Sequence, residues 1–145
     1  VRDLLESQGV AVVMTRYDDR TLGLQPRVDI AERADADIFV SIHANAISLS
    51  RPDVNGIESY YASAAGQQLA ATIHASMLAA TGMNDRGIKQ ARFFVIRRTS
   101  MPATLLEVGF VTGAQDAPRL ADANWRETMA NAIARGILQY IQRNF

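Results

Sequence analysis

The sequence contains no cysteine. That absence excludes a disulfide framework and any thiolate metal site, so a zinc centre would have to come from histidine and carboxylates. There is no excess charge of either sign. Fifteen Lys and Arg stand against 15 Asp and Glu, a formal net charge of 0, which argues against a broad nucleic-acid footprint. Long apolar runs are missing too. A membrane span takes about 20 consecutive apolar residues, and every apolar stretch here is soon broken by a polar or charged side chain. The start of the chain, with Asp3 and Glu6 inside a helix-like pattern, lacks the basic start and apolar centre of a secretory leader and leaves export open. Histidine is scarce, with only His43 and His74. Without repeats or a linker, the 145 residues, 48% of them hydrophobic, read as one domain, 1–145. A chain of this length buries roughly 70% of its unfolded surface, enough for a core without staples.

What is present is an alternation of apolar strands and amphipathic helices. Val1, Leu4 and Leu5 stand at helical spacing, and Gly9 sits where a C-cap glycine belongs, which predicts the tail of a helix begun upstream. Val10–Thr15 predicts a strand covered on both faces. A helix over Arg27–Ala36 then leads to a second buried strand, Asp37–His43, by a right-handed crossover. Gly56–Tyr61 predicts a third strand, Gly66–Thr81 a helix stopped by Gly82, and Met83–Ala91 a turn. Phe93–Ile96 and Ala103–Val108 predict two further strands, and Asn124–Arg143 an amphipathic helix capped by Asn124. The order defines an α/β domain with a mixed, mostly parallel sheet flanked by helices.

In open α/β sheets ligands collect outside the carboxyl ends of the strands. Two ionisable residues finish apolar strands there: His43 ends Ile-Phe-Val-Ser-Ile-His, and Glu107 ends Ala-Thr-Leu-Leu-Glu. An imidazole can ligate metal or shuttle a proton, and a carboxyl among apolar neighbours has the raised pKa of a general base. The plainer reading makes both strand-end groups bonded to nearby backbone. His74 is expected half-exposed beside the apolar stripe of its helix, outside any site. Glu58, at the start of its strand, is expected at the end of the sheet away from the rim. Arg86, Lys89, Arg92, Arg97 and Arg98 form a basic segment leading to Glu107. That segment either faces an anionic substrate or is solvated and paired with Asp29, Glu32, Asp35 and Asp37.

Three stretches carry a resemblance: Ser41-Ile42-His43-Ala44-Asn45-Ala46, Asp85-Arg86-Gly87-Ile88-Lys89 and Pro102-Ala103-Thr104-Leu105-Leu106-Glu107-Val108-Gly109-Phe110. They resemble signatures of the zinc-dependent N-acetylmuramoyl-L-alanine amidases of the amidase-3 family. Lesser matches at Thr15-Arg16, Leu24 with Arg27, Gly56–Tyr61 and Ala134–Ile137 follow in the same order, so the resemblance covers nearly the whole chain, and the wording around Asp53–Gly56 and Ala91–Gly113 is most similar to cyanobacterial members. It implies cleavage of the amide between the lactyl group of N-acetylmuramic acid and the L-alanine of the stem peptide. The site of action would be the periplasm or the extracellular cell wall, and the partner peptidoglycan, with any activator protein unidentified.

The family's zinc is held by His, Glu and His, with a further Glu in catalysis. His43 matches the second zinc histidine and Glu107 the catalytic glutamate. The resemblance places the first strand and the other two ligands outside these 145 residues. It implies zinc-activated water with Glu107 as base and then acid. Arg86 and Lys89 would bind stem-peptide carboxylates, and Asn45 would orient His43 or substrate. The alternative is a peptidoglycan-binding or interaction module that keeps the fold without the metal.

Overall fold

A computed structural model describes residues 1–145. In chain order the elements are α1 (Arg2–Glu6), α2 (Leu24–Arg33), β1 (Phe39–Asn45), β2 (Ile57–Tyr61) and α3 (Ala64–Thr81). They continue as β3 (Asp85–Gln90), α4 (Phe94–Arg98), β4 (Ala103–Phe110), α5 (Asp116–Ala121) and α6 (Ala123–Asn144). The four strands form one sheet in the order β1-β4-β2-β3. β1 runs parallel to β4 and β2 parallel to β3, while β2 and β4 are antiparallel. The expected α/β domain with a mixed, mostly parallel sheet is what forms.

Alternation along β4 explains how the sheet is covered. Successive side chains point to opposite faces, and Leu106 joins one core while Ala103 and Leu105 join another. Leu106, Ile57 and Val108 pack with Leu69, Ile73 and Met77 of α3 and with Ile133, Ile137 and Tyr140 of α6. The opposite face buries Phe39, Ala103 and Leu105 under Val28 and Ala31 of α2 and Val95 and Ile96 of α4. α3 and α6 approach so closely that a Cβ on Gly136 would lie 2.7 Å from the Ile73 Cα. The Ser76 hydroxyl donates to the Ala132 carbonyl at 2.6 Å across the same contact.

Several expectations change. Val10–Thr15 forms no strand and joins no ladder, and Val13 and Met14 are exposed. A ladder needs a neighbour about 4.8 Å away, whereas this segment is separated from β1 by a gap of about 1040 Å³ lined by Val10–Asp18 and Ile38–His43. The predicted strand at Phe93–Ile96 is the start of α4, because a four-residue apolar run fits a buried helical turn as well as a strand. Met83–Ala91 is no turn but contains the edge strand β3, whose polar composition suits an edge. Its Gly87, at φ 89°, sits where the register with β2 shifts. The cap of α6 is Asp122, which accepts from the Asn124 N–H. α5 was not anticipated.

Gly136→Val places branched carbons against the Ile73 backbone, and overpacking of this kind costs about 1–3 kcal/mol. Urea denaturation should show a lower midpoint with an unchanged slope.

Candidate active-site rim

The face of the sheet carrying Phe39, Ala103 and Leu105 is apolar at one end and polar at the other. Alternation puts Ser41 and His43 on the same face as Phe39, and Glu107 on the same face as Leu105. The parallel register sets His43 directly beside Glu107. The antiparallel register sets Glu58 beside Glu107 on its other side. His43, Glu107 and Glu58 thus stand in one row across three strands, with Lys89 opposite Tyr60 continuing that face into β3.

His43 is half-buried, and its Nε2 shares a 2.8 Å hydrogen bond with the Ser41 hydroxyl. Burial holds the imidazole below its ordinary pKa, and the nearby charges of Arg27 and Arg16 push the same way. The ring is therefore neutral at pH 7, the form that ligates metal or accepts a proton. Burial pushes the Glu107 carboxyl up to about 7, helped by the negative charge of Glu58. One of its oxygens, Oε2, is buried without a hydrogen-bond partner. A carboxyl titrating near neutrality with an unbonded oxygen is equipped to take and return a proton.

Glu58 is not at the far end of the sheet as expected. β2 runs antiparallel to β4, so its first residues lie beside the last residues of β4. Its side chain is 5% exposed. Oε1 accepts from Arg86 Nε at 2.8 Å and from Lys89 Nζ at 3.0 Å, and Oε2 accepts from the Tyr60 hydroxyl. Burial alone would raise this carboxyl, but the three hydrogen bonds together outweigh it and hold it below the usual carboxylate range. Burial first, then the bond to Glu58, pushes the Tyr60 hydroxyl far above its ordinary value. Arg86 also lies over the Phe110 ring, 5.2 Å from its centroid.

The basic segment divides. Arg86 and Lys89 reach the rim, whereas Arg92 and Arg97 line a separate cleft of about 510 Å³ with Ala62, Gln90 and Ala91 at the other end of β2 and β3. Arg98 lies over the Phe94 ring. None of these arginines pairs with Asp29, Glu32, Asp35 or Asp37; Glu32 instead accepts from Ser100. Asn45 closes β1, its Oδ1 accepting from the Ala46 N–H. His74 is buried rather than half-exposed. Ser59 Oγ lies 2.8 Å from its Nδ1, and Asp85 Oδ1 lies 2.9 Å from its Nε2, so helix α3 is stitched to β2 and β3 on the face away from the rim.

Asp116, 1% exposed, holds the rim's two approaches together. Its Oδ2 accepts from the Gly56 N–H at 2.7 Å and the Phe110 N–H at 2.9 Å. It thereby joins the residue before β2 to the last residue of β4. Asn55 Oδ1 in turn accepts from the N–H groups of Gln115 and Asp116. Sequence reading missed Asp116 and the place of Glu58. The available signal for Glu58 was the spacing Glu58-x-Tyr60, which puts two polar groups on one strand face, but strand direction could not be read from it.

The sheet thus sets an imidazole and a near-neutral carboxyl side by side toward the carboxyl ends of two parallel strands, a pair able to exchange protons. This chain belongs to the N-acetylmuramoyl-L-alanine amidase family, whose profile matches residues 1–139. It is similar to the solved N-acetylmuramoyl-L-alanine amidase of Nostoc punctiforme, at 48% identity and a TM-score of 0.94, covering 97% of this chain and 78% of that one. The catalytic domain of the Bacillus (Paenibacillus) polymyxa amidase CwlV is 40% identical with a TM-score of 0.89, over 97% and 80% of the two chains. The Bacillus subtilis amidase LytC is 40% identical over 97% of this chain, which spans 29% of LytC. No helix is long and apolar enough to cross a membrane.

Two outcomes follow from this geometry. A carboxyl whose pKa rises on folding binds more protons in the folded state, so its stabilising effect is full below about 4.5 and is lost as pH rises through about 7. Thermal melts of Glu107→Gln should therefore change less between pH 4.5 and 8 than those of the wild type and lie above them at pH 8. Asp116→Ala leaves two buried N–H groups without an acceptor, at about 1–3 kcal/mol each. Chemical denaturation should show a loss of several kcal/mol.

Proposed function

We propose that this chain is the core of a zinc-dependent peptidoglycan hydrolase that cleaves the amide between N-acetylmuramic acid and the L-alanine of the stem peptide, in the periplasm or the cell wall. One observation carries the reading: His43 and Glu107 stand in register in the C-terminal halves of β1 and β4, with the carboxyl pushed up to about 7. Family membership supports the bond cleaved.

The donors among these residues do not fit a zinc ion by themselves. A catalytic zinc takes three protein ligands, and no three His, Asp or Glu side chains converge anywhere in the chain. Of the residues present, His43 would supply one of the three. The gap of about 1040 Å³ between Val10–Asp18 and β1 opens beside His43. Glu107 takes a proton from the attacking water and returns it to the departing alanine nitrogen, which cannot leave as an anion. Arg86 and Lys89 contact the stem peptide, and Asn45, whose Oδ1 is held by the Ala46 N–H, orients His43 or the substrate. A second reading, a peptidoglycan-binding module without metal, is favoured by the incomplete donor set.

New amino groups on L-alanine, released from purified peptidoglycan with and without added zinc, test the hydrolase. Glu107→Gln should lower the rate by about 10²–10⁴-fold while peptidoglycan binding persists; an unchanged rate removes Glu107 from the mechanism. Zinc stoichiometry with His43→Ala as control decides between readings. One zinc per chain, lost in the variant, supports the hydrolase, and peptidoglycan binding without zinc or turnover supports the module.

A further inference from the structure

Glu58 is a buried carboxylate that proton transfer by Glu107 does not require. One cation would neutralise it, yet two converge on the same oxygen, Arg86 through Nε and Lys89 through Nζ. The cluster of one anion and two cations keeps a surplus positive charge on the β3 side of Glu58. Each cation spends only part of its donor set on Glu58. Both Nη groups of Arg86 and the remaining N–H groups of Lys89 have no protein partner, and the side chains are 36% and 44% exposed. The guanidinium is fixed on two sides, by Glu58 and by the Phe110 ring, while Tyr60 holds the other Glu58 oxygen. A surface lysine or arginine serving solubility needs no buried carboxylate behind it.

We infer that Glu58 is a positioning residue, which aims Arg86 and Lys89 as a clamp for a free carboxylate of the stem peptide. A planar guanidinium beside an ammonium matches a carboxylate. In the proposed substrate the lactyl carboxyl is consumed in the scissile amide, so the free carboxylates lie on the stem peptide, the leaving side. The clamp rests on the stem-peptide reading above and adds an orientation: the peptide runs over β2 and β3 from Glu107, and the sugar lies toward β1. Glu58 touches neither substrate nor reacting atoms, and acts through the two cations.

Titration of the full chain with N-acetyl-L-alanyl-D-glutamate and with its fully amidated counterpart, at fixed ionic strength, tests the clamp without requiring turnover. The free acid should bind about tenfold more tightly than the amide, with the Arg86 Nε–H resonance moving on binding. Arg86→Gln and Lys89→Gln, both at exposed positions, should bring the ratio toward one. Glu58→Gln should do the same and shift the Arg86 Nε–H resonance in the free protein. Should that variant fail to fold, Glu58→Asp, with its carboxylate withdrawn by one methylene, should give an intermediate ratio.

Equal binding of acid and amide by the wild type overturns the clamp. An unchanged ratio in whichever Glu58 variant folds overturns the positioning role. Acetate or inorganic phosphate binding as tightly as the dipeptide reduces the pair to a general anion site and overturns the stem-peptide assignment. Loss of hydrolysis with the ratio intact fails the hydrolase reading alone, and hydrolysis with a ratio of one fails the clamp alone.

Discussion

Everything at the rim is registered against β4. It has β1 as a parallel neighbour on one side and β2 as an antiparallel neighbour on the other, and this arrangement makes the site. A parallel partner delivers the end of β1, and so His43, to Glu107. An antiparallel partner delivers the beginning of β2, and so Glu58, to the same residue. Because side chains alternate strictly along each strand, the three groups are forced onto one face. A one-residue slip of β2 against β4 would turn Glu58 into the α3 core and bring Ile57 or Ser59 to the rim. The apolar residues lower on that face, Phe39 and Leu105 under Val95 and Ile96, oppose such a slip by the area they would expose.

Register inside the sheet still leaves strand ends free to fray, and Asp116 prevents that here. Its carboxyl group bridges the N–H groups of Gly56 and Phe110, fixing one end of β2 to one end of β4 just beyond Glu58 and Glu107. The glycines nearby follow from the tightness of this arrangement. A Cβ on Gly113 would sit 2.2 Å from Asn55 Oδ1, and one on Gly56 would sit 2.4 Å from the Asn84 carbonyl oxygen. Gly56 also adopts φ 119°, a conformation that L side chains rarely tolerate. The polar network is buried but satisfied, the condition under which such networks specify one arrangement.

His43 and Glu107 are legible as polar groups that interrupt apolar strands, a one-dimensional signal, but neither ends its strand as expected: β1 runs on to Asn45 and β4 to Phe110. Glu58 was misplaced because its meaning depends on the direction of β2 relative to β4, which no local pattern encodes. The same limit explains β3. Asp-Arg-Gly-Ile-Lys-Gln has little strand propensity, and it is a strand because β2 offers an edge to pair with. Phe93–Ile96 errs the other way: its strand-like composition is overridden by packing as a helical turn on the sheet. Val10–Thr15 has the composition of a buried strand without the neighbour that would make it one. His74 looked like a surface residue on a weakly amphipathic helix, and only Ser59 and Asp85, brought from two strands, explain why an imidazole is buried there.

The charges at the rim then fit together. Two carboxyl groups in adjacent register cannot both ionise without cost. The structure separates them by environment. Glu58 receives three hydrogen bonds, two of them from cations, and stays ionised. Glu107 receives no hydrogen bond at Oε2 and lies in a buried setting, so the repulsion falls on it and shows as retained proton affinity. A buried ion pair adds little net stability, because desolvation offsets most of the attraction. Glu58 and its cations are better understood as fixing charge than as holding the fold: they keep an anion beside Glu107 without letting it move, and they leave positive charge exposed on the side away from His43. The rim therefore has a direction. Its neutral imidazole lies on β1, its proton-carrying carboxyl in the centre on β4, and its cations on β3, an order set by strand topology before any ligand arrives.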